Sequence, residues 1–371
     1  MSPTLVILLV GSCVAASCAL VGSFLVLRKM ALMGDAISHA VLPGIAIAFL
    51  LTGDRSPLPM IIGAGALGVL TVFLVELFHR SGRLQEDASI GVVFPALFSI
   101  GVIVISRYAA QVDLDLDCVL YGEIAYTPWD TLSWGDHNLG PKALWVSGGT
   151  LLLNLALVFG LFKELKVSTF DPELGAALGF SSVALHYILM SAVSVTVVGA
   201  FESVGAILVV AMLVVPPATA YLLTDRLATM IWLGAAFGVA SALGGYWLAR
   251  WWDASIAGAM ATVAGALFVG AMVLSPRHGL LARALGRWRG ARRMDGQLVM
   301  LHLEKGRHPL PLATLVQRFG WRRTRLDRTL RELEAAGWVR RQKGGVALTD
   351  EGAEALERSG QDRLAHHLSP A

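Results

Sequence analysis

Charged residues are scarce in this chain. Of its 371 residues, 55% are hydrophobic and only 15% are charged, whereas soluble domains carry about 25% charged residues. The scarcity is greatest within long apolar runs, and about 20 apolar residues suffice to cross a bilayer as a helix. The composition therefore excludes an ordinary soluble protein and predicts a chain that crosses a membrane several times.

Cysteine is also rare, and no nucleotide-binding loop is present. The three cysteines, Cys13, Cys18 and Cys118, form no CxxC pair, so neither a disulfide framework nor a thiolate metal site is expected. A GxxxxGKS or GxxxxGKT loop, which cradles the phosphates of ATP, occurs nowhere in the sequence. The chain is therefore not expected to be an enzyme that hydrolyses ATP, and any energy it uses would come from a partner subunit or an ion gradient.

What the sequence has in abundance is membrane-length apolar segments. Nine are predicted, at roughly residues 4–27, 33–52, 57–78, 88–106, 143–163, 181–200, 203–222, 228–249 and 255–274. The break between the sixth and the seventh, at residues 201–203, is so short that eight spans is the alternative count. The expected fold class is an all-α polytopic membrane protein with about nine transmembrane helices, followed by a small cytosolic α+β domain.

The positions of Lys and Arg predict the orientation, because cytosolic loops carry an excess of these residues. With the C-terminus in the cytosol, the inner loops carry Arg28, Lys29, Arg80, Arg83, Lys163, Lys166 and Arg226. The outer loops then carry only Arg55, Arg107, Lys142 and Arg250. The asymmetry predicts a multi-pass membrane protein with a cytoplasmic C-terminus.

The balance of charge changes near Met294. Residues 1–294 carry 17 Lys or Arg and 17 Asp or Glu, whereas residues 295–371 carry 13 basic and 10 acidic residues. We therefore expect a membrane domain at 1–280, a basic linker at 281–294, a winged-helix-like domain at 295–360 and a flexible tail at 361–371.

The predicted winged helix rests on three helical segments and a hairpin. The helices are expected at 297–304, 312–319 and 322–336, and the hairpin turns at Gly344 and Gly345. The third helix carries Arg322, Arg323, Arg325 and Arg328, which in a soluble protein would indicate contact with DNA phosphates. Because the domain is tethered to a membrane, a regulatory or protein-interaction module, or attraction to anionic lipids, is favoured over DNA binding.

One apolar segment contains both a carboxylate and an imidazole. Asp35 and His39 are four residues apart and so share a helix face, although ionisable groups inside a membrane are costly. Pro43 follows four residues later and cannot donate a backbone hydrogen bond to the His39 carbonyl. This arrangement favours a metal or proton site, and oxygen and nitrogen ligands suit Mn²⁺, Fe²⁺ or Zn²⁺. The alternative is that Asp35 caps or hydrogen-bonds a neighbouring helix and that His39 is a core residue whose hydrogen bonds are satisfied.

Four other polar residues lie near the ends of the predicted spans or, in one case, within a span. They are Glu76, His79, His186 and Glu202. Each is expected to be interfacial or structural rather than a metal ligand.

Four segments resemble the integral-membrane permease of the zinc, manganese and iron family of ATP-binding-cassette importers. They are Met33–Gly44, Ser89–Phe94, Phe170–Leu174 and Val204–Ala220. The resemblance covers nearly all of residues 1–280. Within the family, the stretch Val112–Ala125 and the long outer loop look like the manganese-type members. In the tail, the segment 348–353 is similar to bacterial winged-helix regulators, including metal-responsive repressors.

The resemblance implies a permease of a bacterial inner membrane, with manganese as the favoured substrate and zinc and iron as the alternatives. It implies a second permease subunit, a cytosolic ATP-binding subunit, an extracytoplasmic metal-binding protein and no permanently bound cofactor. Asp35 and His39 would be ligands or gate residues of the pathway. The residues of the cytosolic coupling helices would be Phe170, Asp171, Pro172, Glu173 and Leu174. The rival hypotheses are a membrane-tethered winged-helix regulator and a gradient-driven transporter.

Overall fold

The computed structural model of the protein describes residues 2–52, 57–82, 84–108, 124–134, 137–275, 279–305, 310–342 and 345–356. The predicted tail, 361–371, lies outside these ranges, as does the stretch Val112–Ala125 apart from its last two residues. Contacts within the chain divide it into two units, Met1–Gly279 and Leu280–Ala371.

The first unit is built almost entirely of helices. It begins with α1 (Pro3–Leu27), α2 (Leu32–Thr52), α3 (Pro57–Arg80) and α4 (Glu86–Tyr108). Residues Ile124–Tyr126 form a 3₁₀ turn, and strands β1 (Thr131–Trp134) and β2 (His137–Pro141) pair antiparallel. There follow α5 (Lys142–Gly160), α6 (Phe162–Phe170), α7 (Pro172–Ala177), α8 (Ser182–Val204), α9 (Ala206–Tyr221), α10 (Leu227–Trp252) and α11 (Ile256–Leu274).

Eight helices in the described part of the chain are long and apolar enough to cross a membrane: α1 to α5, α8, α10 and α11. Helix α9 is apolar but has only 16 residues. Gly205 separates it from α8 at φ +80°, a conformation that residues with a Cβ rarely adopt. The number of membrane-length helices agrees with the lower of the two predicted numbers of spans. The predicted seventh span is present as the shorter apolar helix α9.

Helix α1 lies at the centre of the first unit, in contact with α5, α8, α9 and α10. Residues on all its sides are enclosed, among them Cys18, Val21 and Phe24, as expected of a helix that is apolar all round. Small residues let such helices approach closely. A Cβ added at Gly238 of α10 would come within 3.0 Å of the Ala15 carbonyl oxygen of α1.

A buried amide joins three of these helices. Asn154 of α5 is fully enclosed, and its Nδ2 donates to Ser17 Oγ of α1 and to Thr196 Oγ1 of α8, both at 2.7 Å. Hydrogen bonds between membrane helices contribute about 0.6 kcal/mol each on average. The network therefore fixes the register of α5 against its neighbours more than it adds to their stability.

The second unit has a separate apolar core. It contains α12 (Leu280–Lys305), α13 (Leu312–Phe319), α14 (Arg323–Ala335) and the hairpin of β3 (Val339–Gln342) and β4 (Gly345–Leu348), with a short helix at 350–356. Leu310 pairs with Val346 and extends the hairpin by one bridge. The segment predicted as a basic linker is the first half of α12, and is therefore helical.

Arg325 stabilises this second unit through an ion pair. Its Nη2 and Nε donate to the two carboxylate oxygens of Asp295 at 2.7 and 2.8 Å, and its guanidinium lies 4.7 Å from the ring centroid of Trp321. These hydrogen bonds raise the pKa of Arg325 above its ordinary value. The pair joins α12 to α14, so Arg325 has a structural partner that the sequence analysis did not predict.

The contact between α10 and α11 can be tested at a glycine. A Cβ added at Gly245 would collide with the backbone of Met260, whereas a Cβ added at Gly149 of α5 would meet nothing within 4 Å. Overpacking typically costs about 1–3 kcal/mol, while replacing a helical glycine by alanine gains about 1 kcal/mol. We expect Gly245→Ala to lower the thermal unfolding midpoint of the purified protein and Gly149→Ala to leave it unchanged or raise it. Equal midpoints for the two variants would show that this close approach is wrong.

Candidate cation site

Asp35 and His39 lie together on α2, as the sequence predicts for a helix. The distance between His39 Nε2 and Asp35 Oδ1 is 3.6 Å, and the two side chains are 33% and 47% exposed, respectively. A carboxylate this exposed on an apolar helix has not been placed in the protein core. The His39 side chain is only partly enclosed.

Aromatic rings of α4 hold the imidazole in place. The His39 ring centroid lies 5.1 Å from that of Phe94 and 6.1 Å from that of Phe98, which it meets edge-on. Helix α2 continues through Pro43, and a Cβ added at Gly101 of α4 would come within 3.0 Å of the Pro43 Cα. This tight contact fixes α4 against α2 beside the Asp35 and His39 pair.

The pair offers one or two carboxylate oxygens and one imidazole nitrogen on a single helix face. Resident metal sites in proteins usually supply at least three protein ligands. Among the residues described, no group of three or more His, Cys, Asp or Glu side chains is arranged to hold a metal. Water, backbone oxygens or a second chain would have to complete the coordination of a metal ion held by this pair.

A second ionisable pair joins α3 to α8. Glu76 Oε2 lies 3.8 Å from His186 Nε2, and Glu76 Oε1 accepts a hydrogen bond from Arg80 Nε at 2.7 Å. His186 Nε2 is buried without a hydrogen-bond partner. The spacing of Glu76 and Arg80 could have indicated their bond, but nothing in the sequence links either residue to His186. Of the other two polar residues considered with them, Glu202 pairs with Lys142 and His79 is exposed.

The predicted coupling segment forms an exposed turn between two short helices. Phe170 ends α6, and Asp171 caps α7, since its Oδ1 accepts a hydrogen bond from the Leu174 backbone N–H at 2.9 Å. Pro172 and Glu173 form the first turn of α7. Phe170 is 60% exposed and Leu174 49% exposed. Exposed apolar side chains grouped in this way are typical of a contact surface for another protein.

Arg28 links this segment to the start of α2. Its Nη2 donates to Ser168 Oγ at 2.8 Å and its Nε donates to Thr169 Oγ1 at 3.2 Å. Both hydroxyls lie in the last turn of α6. The sequence analysis treated Arg28 only as a charge at the membrane surface, because no local pattern relates residues 140 positions apart.

In the second unit, three of the four predicted contact arginines are available at the surface. Arg322 precedes α14 as its N-cap, and Arg323 and Arg328 lie on α14; all three are exposed. None of the three makes an ion pair with another residue in the described ranges. Arg325 differs, because Asp295 occupies its guanidinium.

Comparisons with known proteins assign a family to the chain. A family model described as the ABC 3 transport family matches residues 3–275. The manganese transport system membrane protein MntD of Bacillus subtilis is 50% identical over 279 residues, which are 75% of this chain and 94% of that protein. The zinc transport system membrane protein TroD of Treponema pallidum is 41% identical over 356 residues, covering 94% of this chain and 96% of that protein.

A solved structure agrees with this relationship. The structure of PsaBC from Streptococcus pneumoniae in complex with Fab aligns with a TM-score of 0.63 at 30% identity, over 75% of this chain and 94% of the matched chain. The family match takes in all of α1 to α11, and it accords with the membrane-length helices of the first unit. The chain is a multi-pass membrane protein and a transport component rather than an enzyme, and it belongs to the ABC 3 transport family.

Proposed function

We propose that the chain is the membrane permease subunit of an ATP-binding-cassette importer for divalent transition-metal ions. Manganese is the favoured substrate, with zinc or iron as the alternatives. The observation that carries the proposal is the half-exposed Asp35 and His39 pair on a membrane-length helix. Carboxylate oxygen and imidazole nitrogen are ligands for all three metals, and the relative at 50% identity is named for manganese transport.

The exposure of Asp35 supports a second subunit. A charged side chain in a spanning helix faces a bundle interior or a water-filled cavity, because contact with lipid is costly. In a single chain almost half of the Asp35 side chain is open. A second permease chain, identical or related, would cover this face and enclose a polar pathway. An extracytoplasmic metal-binding protein would deliver the ion, and a cytosolic ATP-binding subunit would supply the energy.

Alternating access follows from this arrangement. With the outer side open, a hydrated cation exchanges part of its water for Asp35 oxygen and neutral His39 nitrogen; the imidazole binds metal only when deprotonated. ATP binding by the partner subunit presses on the exposed residues Phe170 and Leu174. The helices shift, the outer side closes, and the ion leaves towards the cytosol. A site with only a few protein ligands allows the ion to leave rapidly.

The distribution of basic residues supports a cytoplasmic C-terminus. If α9 counts as a ninth crossing, Arg28, Lys163 and Arg226 fall on the same side of the membrane as the second unit. Cytosolic loops carry the excess of such residues. The coupling segment, which follows Lys163, is then on the side where ATP is available.

Uptake measurements test the cation site. Asp35→Ala and His39→Ala should each reduce ATP-dependent Mn²⁺ uptake to the level of vesicles lacking the permease, because each removes a ligand. The assay uses vesicles with the full chain, its ATP-binding subunit and its binding protein, and compares Mn²⁺, Zn²⁺ and Fe²⁺.

His79→Ala is the matched control, since His79 is an exposed histidine at the end of α3. It should transport normally. Normal Mn²⁺ uptake by both Asp35→Ala and His39→Ala would exclude the pair from the mechanism. Uptake that persists without ATP would favour the gradient-driven alternative.

The coupling surface makes a separate prediction. Phe170→Ala with Leu174→Ala should weaken binding of the ATP-binding subunit at least tenfold, because truncating central apolar anchors of an interface costs about 2 kcal/mol or more. Leu152→Ala, which truncates a leucine that is 68% exposed in the middle of α5, is the control. Retention of the ATP-binding subunit on the immobilised permease gives the measurement, and equal retention by all variants would contradict the assignment.

The second unit is proposed to be a winged-helix module with a regulatory or protein-contact role. The order of α12, α13 and α14 before the β3–β4 hairpin supports this, as does the bridge between Leu310 and Val346. The TroD alignment is long enough to include most of residues 280–371.

DNA contact through Arg322, Arg323 and Arg328 is less favoured, and salt-dependent DNA binding by the full-length protein would establish it. A family match across the spans argues against a tethered regulator as the main function.

Limited proteolysis separates the arginine roles in this unit. Arg325→Ala leaves the largely buried Asp295 carboxylate without its partner, and a buried charge that loses its hydrogen bonds is destabilising. The full-length variant should be cleaved faster within residues 280–371. Arg328→Ala should be cleaved at the wild-type rate, and equal rates for the two variants would mean that the ion pair has no structural role.

A further inference from the structure

We infer that Arg28 is a positioning residue that transmits movement of the α6–α7 segment to the helix carrying Asp35 and His39. The inference rests on the proposed function, because it assigns a mechanical role within ATP-driven transport. It depends on a set of contacts that is independent of the metal pair itself.

The first contact lies at the α6 end. Two different nitrogens of one planar guanidinium donate to two adjacent hydroxyls, Ser168 Oγ at 2.8 Å and Thr169 Oγ1 at 3.2 Å. A planar fork of this kind fixes direction as well as distance. Ser168 is buried, so water does not compete freely for its hydroxyl. Phe170, where the exposed coupling surface begins, directly follows Thr169.

The second contact lies in the turn between α1 and α2. Arg28 caps α1, Lys29 adopts a left-handed conformation at φ +63°, and the Met30 N–H donates to the Leu25 carbonyl at 2.9 Å. The Met33 N–H then donates to the Met30 carbonyl at 3.1 Å. Backbone hydrogen bonds therefore join this turn both to the end of α1 and to the first turn of α2.

The turn is also anchored by burial, and it leads directly to the cation site. The side chains of Met30 and Met33 are enclosed, and Asp35 lies in the first turn of α2. A displacement of Arg28 must therefore move the start of α2, and Asp35 with it. His39 follows one turn later and is held against α4 by Phe94 and Phe98.

The chemistry of Arg28 is unusual for a purely structural residue. Its charge is partly buried, and its pKa is lowered by that burial, yet no carboxylate in the described ranges pairs with it. A neutral side chain would avoid the cost of desolvating a charge. Phe24 of α1 and Leu165 of α6 already belong to one buried apolar cluster. What the arginine adds is a directional link, which resists sliding in a way that apolar contact does not.

The test measures transport and ATP hydrolysis in the same vesicles, containing the full chain, its ATP-binding subunit and its binding protein, with Mn²⁺ as the probe. Arg28→Ala should hydrolyse ATP at nearly the wild-type rate but transport at least tenfold fewer Mn²⁺ ions per ATP. Arg28→Lys keeps the positive charge but not the planar guanidinium. Its number of Mn²⁺ ions transported per ATP should lie between those of the wild type and Arg28→Ala. Lys29→Gln is the matched control, since it removes the neighbouring charge, and it should keep the wild-type ratio.

A double variant, Ser168→Ala with Thr169→Val, removes the two acceptors and leaves Arg28 in place. It should reproduce the low ratio of Arg28→Ala, and it decides the question if Arg28→Ala fails to insert. A ratio that stays at the wild-type value, or ATP hydrolysis that falls in parallel with transport, would overturn the inference. Absence of ATP-dependent metal uptake by the wild type would instead overturn the proposed function, so the two failures are distinguishable.

Discussion

The cost of exposing charge to hydrocarbon is the constraint on which the first unit depends. Among the described residues of this unit, several ionisable side chains near helix ends have partners: Glu76 pairs with Arg80 and His186, and Lys142 with Glu202. At the end of α1, Arg28 donates hydrogen bonds to two hydroxyls of α6. Asp35, in the first turn of α2, pairs with His39, and both side chains remain partly open on a helix of membrane length. Because such exposure would be unfavourable against lipid, the proposed polar pathway runs along this pair.

The same constraint leaves packing to small residues and to a few polar contacts. Helix α1 is enclosed by α5, α8, α9 and α10, and close approaches such as that of Gly238 to Ala15 make the enclosure tight. Packed interiors of this kind deform little and transmit displacement. A change at α6 therefore has defined routes into the membrane unit, one of which is the guanidinium of Arg28.

The sequence predicts the helices well, because a run of apolar residues has the same meaning wherever it occurs. It predicts that Asp35 and His39 share a face for the same reason, since both lie within one helix. The contacts that it could not predict join distant positions: Arg28 to Ser168, Glu76 to His186, and Asp295 to Arg325. The basic composition of residues 281–294 suggested a linker, although Leu, Ala and Arg there are good helix formers and the segment is helical. Composition indicates where charge lies, but not which groups meet.

The shortness of α9 has a consequence for how the protein matches the bilayer. At 1.5 Å per residue, its 16 residues extend about 24 Å, which is less than the hydrocarbon thickness of about 30 Å. A lipid-facing helix of that length would force the bilayer to thin locally. Helix α9 instead lies against α1, α10 and α11, and most of its residues are buried, so protein rather than lipid absorbs the difference. The membrane thickness that this chain prefers is therefore set by its longer outer helices.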